Sequence, residues 1–483
     1  MSSSMQFRST PGRAPEISET FFGNAHAQRV NTDALVLEAI ENKHPGVSVT
    51  IVPEWNSSLK AYAAAGFASI RSTERTVADT KAAYPDNLKW TVFLAPARRL
   101  DGGGGIAEET FFESFLYQWH GLEFFVYFVD GRDGEGNWPN VRNQYILGDK
   151  AAVLTLVETV GRWQSVLHNE VWVFNQGYWQ KDPYLYQSIL KSEWKDVILD
   201  KALKDDLVDT VSRFFDSQDH YQRLRVPWKR GIIFYGPPGN GKTISIKATM
   251  HTLYRRSPPI PTLYVKTLVS FMPPEYSIEM VFEKARQEAP CYLVFEDLDS
   301  LVTDDVRSFF LNAIDGLAEN DGILMVGSTN HLERLDPGIA KRPSRFDRKY
   351  LFPNPDLPQR VKYCHYWQDK LKDNKDIEFP DEICDAAAKI TDGFSFAYIQ
   401  EAFVTALLDI ARSSENEKRR LSGADRVEHL RQDWELLDLE DVAPVRAATE
   451  KGHKDLDDYI LWRKLKYEVE QLRKQIDDGK GEE

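Results

Sequence analysis

Cysteine is scarce: the 483-residue chain has only 3, at Cys291, Cys364 and Cys384. Thiols so few and so far apart form neither a disulfide framework nor a four-ligand zinc site, so a reducing compartment is expected. Long apolar runs are lacking too. The longest, at 124–129 and 232–235, fall far short of the roughly 20 residues a membrane-spanning helix needs, so no transmembrane segment is expected. Nor is there a basic excess, since 60 Lys and Arg stand against 74 Asp and Glu, a net charge of −14. Nucleic-acid surfaces normally release counterions through an excess of the opposite sign, so nucleic acid is not an expected partner. The first residues, MSSSMQFRSTPGRAPE, contain no apolar segment and exclude a secretory signal. A soluble, cytoplasmic protein is the expectation, and the early Ser and Arg residues leave a mitochondrial presequence open. No repeat of solenoid period is visible.

What is present suits a globular chain. Hydrophobic residues make up 42% and aromatics 12% of the chain, enough for a sizeable core, and the length suggests two or three domains. Residues 1–30 are polar and Pro/Ser-rich and read as a loose arm. Residues 31–190 mix helix signals with strand candidates at 47–52, 89–94, 123–129, 144–147 and 170–174 and hold most of the 12 tryptophans. They read as an α+β domain of their own, with partner binding as its expected role. The glycine run 102–105 inside it has no Lys-bearing helix behind it and reads as a loop. From 191 to 356 strand, turn and helix alternate, the pattern of a parallel α/β sheet. Residues 357–413 read as a helical lid, and 414–483 as a charged helical extension. Leu465, Val469, Leu472 and Ile476 recur there at helical spacing, as one packed face or a short heptad seam.

The chemistry-bearing pattern lies in the α/β region. The apolar run GIIFY (231–235) is followed at once by Gly236, Pro237, Pro238, Gly239, Asn240, Gly241, Lys242 and Thr243, then by a helix-compatible stretch. This is the full G-x-x-x-x-G-K-[ST] spacing. Glycines let backbone N–H groups turn inward around phosphate oxygens, and the helix N-terminus adds its positive end. Lys242 would then face the outer phosphates and the Thr243 hydroxyl Mg²⁺. A second apolar run, CYLVF (291–295), delivers Glu296 and Asp297 where an open α/β sheet binds ligands. One acid is expected to hold the metal and its neighbour to polarise water. A third run, GILMVGST (322–329), ends in Asn330, whose amide suits orienting that water. Next come Arg342 and Arg345, in a stretch too polar for a core, where a guanidinium can reach charge on a neighbouring subunit's nucleotide.

Taken in order, GPPGNGKT, LVFEDLD, GSTN, LDPGIAKRPSRFDR and TDGFSFAYIQEA resemble the AAA module of the AAA+ ATPases. The resemblance covers about residues 191–412. SEWKDVILDKALKDDLVDTVSRFF and HYQRLRVPWKR before the loop look like the branch that contains the mitochondrial Rieske iron-sulfur protein translocase, without its membrane helix. What the resemblance implies is a P-loop sheet with a helical lid, ATP binding, Mg²⁺-dependent hydrolysis, a homo-oligomeric ring and mechanical work on a protein partner. It also implies roles. Gly236 to Thr243 match the Walker A loop, Glu296 and Asp297 the Walker B pair, Asn330 sensor 1, and Arg342 and Arg345 the arginine fingers. Thr243 and Glu296 become the metal residues.

Four departures from the pattern matter. The acids run Glu296 then Asp297, so in register the shorter one becomes the base. An extra Lys341, with Ser344 in place of a glycine, alters the aim of the arginines. Phe396 stands where the lid of the family carries a glycine. The loop TLVSFMPPEY lacks the gripping aromatic-hydrophobic-glycine triplet, which favours pushing or prying over threading. The acid order and lid also keep a second reading in play, a nucleotide-gated scaffold with little turnover.

Overall fold

The computed structural model describes residues 31–73, 87–96, 102–132, 140–315, 320–342, 345–374, 377–428 and 455–479. The N-terminal arm, Pro343, Ser344 and 429–454 lie outside the described residues. Two compact units emerge, Met1–Val166 and Leu167–Glu483.

In the first unit helix α1 (Thr32–Lys43) starts at Asn31, whose side chain accepts from the Ala34 N–H. Strand β1 (Val49–Pro53), helix α2 (Leu59–Ala64) and strands β2 (Ser69–Ser72), β3 (Leu88–Leu94), β4 (Gly105–Trp119), β5 (Leu122–Arg132) and β6 (Asn140–Leu147) follow, and helix α3 (Lys150–Ser165) closes the unit. The strands pair antiparallel in the order β1-β6-β5-β4-β2, with β3 also on β4. His120 and Gly121, both at positive φ, make the two-residue turn between β4 and β5. Helix α3 buries Val153, Leu156 and Val160, spaced three and four apart, against Val126, Phe128 and Ile146.

The second unit opens with β7 (Val171–Asn175), β8 (Tyr178–Asp182), α4 (Pro183–Leu190) and α5 (Lys201–Asp216). It continues as β9 (Lys229–Tyr235), α6 (Lys242–Tyr254), β10 (Thr262–Val265), α7 (Pro274–Gln287), β11 (Cys291–Phe295), α8 (Asp304–Asp315), β12 (Ile323–Thr329) and β13 (Arg348–Leu351). Among the described residues these strands form a seven-stranded sheet, β13-β9-β12-β11-β10-β7-β8, parallel except for the β7–β8 hairpin. β11 and β12 are buried throughout, as expected of central strands covered on both faces. Two cores flank the sheet. One packs Leu293, Phe295 and Met325 against Val281, Phe282 and Phe310 of α7 and α8. The other packs Ile232, Phe234 and Val294 against Ile246, Met250 and Leu253 of α6.

The division between units differs from the boundary expected near residue 190. β7 pairs in parallel with β10, register Leu263 to Trp172, so residues 171–190 belong to the parallel sheet. An alternating strand looks the same whichever sheet recruits it, and only the long-range pairing decides.

Four helices complete the second unit: α9 (Leu357–Leu371), α10 (Asp381–Ile390), α11 (Phe396–Glu428) and α12 (Ile460–Gly479). α9 begins with a capping box between Asp356 and Gln359. Leu465 and Val469 of α12 are buried among Ile383, Ala387, Ile399 and Phe403, and Leu472 and Ile476 pack onto the same cluster. The spacing seen in the sequence is therefore one packed face, and α12 shares one hydrophobic core with α9, α10 and α11.

Candidate functional site

The loop between β9 and α6 is shaped by close approaches. Gly236 has φ +137°, and a Cβ there would lie 2.4 Å from the Phe352 carbonyl oxygen. Gly239 has φ +78°, and its Cβ would meet Ala397 Cβ of the lid at 2.4 Å. Both positions exclude a side chain on conformation and on space. Asn240 is buried, and its amide donates to Asn354 Oδ1 at 2.8 Å while its carbonyl accepts from the Phe396 N–H at 3.4 Å. The Ala397 N–H donates to the Gly239 carbonyl at 3.2 Å. Loop and lid are thus stitched together by hydrogen bonds.

α6 starts directly at Lys242 with no side-chain cap on its first turn. Its leading N–H groups carry the partial positive charge of a helix start. Lys242 itself is buried, and its Nζ donates to the carbonyls of Gly236 at 2.7 Å and Pro237 at 2.9 Å. Burial depresses its pKa, against the opposing pull of Asp297 and Asp299.

A cleft of about 450 Å³ opens over this helix start. Pro238, Gly239, Gly241, Lys242 and Thr243 form its floor, Asp297, Ser328 and Asn330 one side, and Tyr363, Phe396, Ala397 and Gln400 of the lid another. Asp196, Val197 and Ile198, just before α5, complete the wall. Of the residues expected from the sequence, the cleft thus brings together most of the loop, Asp297 and Asn330. Asp297 adopts a left-handed backbone, φ +52°, and its N–H donates to Ser328 Oγ at 3.3 Å. Asp299 accepts from Thr329 Oγ1 at 2.6 Å and so ties the ends of β11 and β12 together.

Glu296 is placed differently from its neighbour. It does not line the cleft; its Oε2 accepts from the Tyr264 hydroxyl at 2.7 Å, and its Oε1 is buried without a hydrogen-bond partner. An orphaned buried carboxylate oxygen is what a cation or its water would satisfy. With the helix start that has no side-chain cap and the desolvated Lys242, that oxygen fits a phosphate ligand accompanied by Mg²⁺. Burial, and then the Glu296 charge, raise the Tyr264 pKa far above the usual phenol value, so the hydroxyl stays a donor.

The arginines separate. Arg345, expected on a solvated stretch, is buried: its side chain is 8% exposed, Nε donates to Asp315 at 2.7 Å and Nη1 to the Gly338 carbonyl at 2.8 Å. Its own carbonyl lies where a Cβ on Gly231 would be, 2.0 Å away, so the β9 backbone packs directly on it. Arg342 is 59% exposed and reaches Asp315 only at 3.5 Å. Neither lines the cleft. Polarity of the surrounding sequence hid the burial, because the partner carboxylate is 30 residues upstream.

Residues 232–354 match the model of the AAA family, the ATPase family associated with various cellular activities. The match supports an AAA+ ATPase. This AAA stretch runs from within β9 through the loop, the acid-bearing end of β11, the Asn330 end of β12 and β13 to Asn354. The mixed α/β unit with its parallel sheet agrees with a P-loop fold. No helix among the described residues is long and apolar enough to cross a membrane. Sequence reasoning missed Asp196, Val197, Ile198, Tyr363 and Gln400, which lie outside the AAA stretch and reach the cleft only by tertiary packing. Phe396, noted as a departure, is in the cleft wall, edge-on to Tyr363 with ring centroids 5.0 Å apart.

Proposed function

We propose that this chain is an ATP-binding, Mg²⁺-dependent ATP hydrolase of AAA type that works in a homo-oligomer to remodel or translocate a protein partner. The observation that carries the reading is the convergence of Lys242, Asp297 and Asn330 on one cleft above an uncapped helix start. The cleft's 450 Å³ falls in the range of small-molecule sites. Lys242 and the N–H groups of the loop bind the phosphates, and Tyr363 and Phe396 offer aromatic surface for the rest of the nucleotide. Mg²⁺ would supply charge neutralisation when bound, with Thr243 as its partner in the cleft and the unpartnered Oε1 of Glu296, which lies outside the cleft lining, as an acceptor for it or its water. Asp297 accepts the proton of the attacking water and the Asn330 amide orients that water. Arg342, exposed and weakly held, is the arginine available to a neighbouring subunit. The stretches before the loop favour the Rieske-translocase-like branch as the closer affiliation, and residues 31–166 are the proposed partner-binding element.

The scaffold reading draws on one observation of its own: the acid in the cleft is the shorter Asp297, while Glu296 is held by Tyr264. Steady-state ATP hydrolysis per subunit, followed against protein concentration with Mg²⁺ and with Lys242→Ala as blank, separates the two. A specific rate that rises and saturates supports an oligomeric ATPase; a flat rate at the blank's level despite ATP binding supports the scaffold.

A further inference from the structure

The last helix of the described chain, α12, lies outside the AAA stretch and contributes nothing to the cleft wall. One of its side chains nonetheless reaches the turn that hydrogen-bonds toward the phosphate loop. Arg473 Nη2 donates to the Ile390 carbonyl at 2.7 Å and to the Asp392 carbonyl at 3.3 Å, and its guanidinium sits over the Phe394 ring, 5.3 Å from the centroid. Ile390 ends α10, so Arg473 supplies donors and positive charge where helix carbonyls lack partners. The turn it holds leads directly into Phe396 and Ala397, which line the cleft. Within it the Gly393 carbonyl accepts from Asn354 Nδ2 at 3.0 Å, Asn354 Oδ1 accepts from Asn240 of the phosphate loop, and Asn240 Oδ1 accepts from the Phe396 N–H. Buried Arg360 braces the turn from the other side, through Asp392 at 2.9 Å and the Ala388 and Pro355 carbonyls at 2.8 Å each.

We infer that Arg473 is a positioning residue for the nucleotide cleft: by clamping the turn 390–394 from α12, it sets where Phe396 and Ala397 meet the phosphate loop. The inference rests on the nucleotide reading of the cleft. The path from Arg473 to Asn240 runs through hydrogen bonds to the Ile390 and Asp392 carbonyls, one peptide step to Gly393, and the hydrogen bonds of Asn354. A helix outside the AAA stretch thereby biases the affinity of the site, so that whatever displaces α12 from the turn loosens nucleotide binding. Arg360 and Asn354 remain on the turn when Arg473 is gone, so the clamp modulates the site and does not create it.

The test is direct equilibrium binding of ATP to the full-length chain, with melting temperature as the fold control. Arg473→Ala is expected to weaken ATP roughly three- to tenfold, while Lys474→Ala, the same charge loss one residue along α12, changes affinity less than about twofold. Arg473→Lys, which keeps the cation but loses the fork, is expected to recover part of the affinity. A purely structural role is separated by a double-mutant cycle with Asn354→Ala. If the path runs through Asn354, Arg473→Ala costs little more once Asn354 is removed. Unchanged affinity in Arg473→Ala overturns the inference, and so does an equal loss in both backgrounds. If Arg473→Ala does not fold, the Arg473→Lys cycle decides by the same criteria. Wild-type chain that binds ATP no better than Lys242→Ala overturns the nucleotide reading, and this inference with it.

Discussion

Lys242 spends two hydrogen bonds on the carbonyls of its own loop while desolvated. A phosphate oxygen in the cleft offers the ammonium a full negative charge in place of these dipoles, and charge-assisted bonds are about twice as strong. Lys242→Ala is therefore expected to weaken ATP by about 10- to 100-fold, the equivalent of one hydrogen bond to a charged group, as read by equilibrium binding. Tyr264 is a different case. Its hydroxyl is the donor that satisfies one Glu296 oxygen while the other has none. Tyr264→Phe leaves the carboxylate still less satisfied and is expected to cost about 1–3 kcal/mol of stability without Mg²⁺. Urea unfolding of both proteins checks this, and a difference under about 0.5 kcal/mol would count against the burial argument. Which of two adjacent acids faces the cleft was not legible in LVFEDLD. The left-handed backbone at Asp297 turns that side chain toward the loop, and a conformation of this kind is set by the packing of β11 and β12.

Secondary-structure elements explain why the two arginines part company. Arg345 follows α8 in space, pinned to Asp315 at that helix's last residue and to the backbone at Gly338, whereas Arg342 stays outside. Arg345→Ala strands Asp315 and empties a packed position, so a loss of about 2–4 kcal/mol is expected. Arg342→Ala should stay within about 1 kcal/mol, as for exposed pairs, yet lower hydrolysis if it acts across subunits. Thermal melts paired with ATPase rates distinguish the roles, and a destabilised Arg342→Ala would contradict this division. In the lid, Leu465 is fully buried between α10, α11 and α12. Leu465→Ala is expected to cost about 2–5 kcal/mol, measurable by denaturant unfolding; a cost below about 1 kcal/mol would mean that α12 is only loosely docked. The apolar spacing of α12 was readable from sequence because helical periodicity is local. Its partners were not, since they come from helices about 60 to 80 residues earlier, a separation no local pattern encodes.

For the whole molecule the decisive feature is where the chain divides. β7 sits inside the sheet, with β10 on one side and β8 on the other, and carries Val171 and Phe174 fully buried. A fragment 167–483 is expected to fold and bind ATP. One starting at 191 would leave the β10 edge and both flanking cores open, and is expected to aggregate or melt at least about 10 °C lower. Circular dichroism and ATP binding on the two fragments check the boundary, and equal behaviour would restore the division near 190. The sequence alone determined the glycine-rich loop between strand and helix, the three apolar strands that carry acid and amide to one end of the sheet, and the helices from residue 357 onward, because each rests on spacing within a few neighbouring residues. Only the tertiary structure decided that Asp297 lines the cleft and Glu296 does not, that Arg345 is a buried brace, that β7 and β8 join the parallel sheet, and that Arg473 of α12 reaches the turn after α10. Each of these depends on pairing or packing between residues far apart in the chain, where burial and geometry, not local pattern, choose among alternatives.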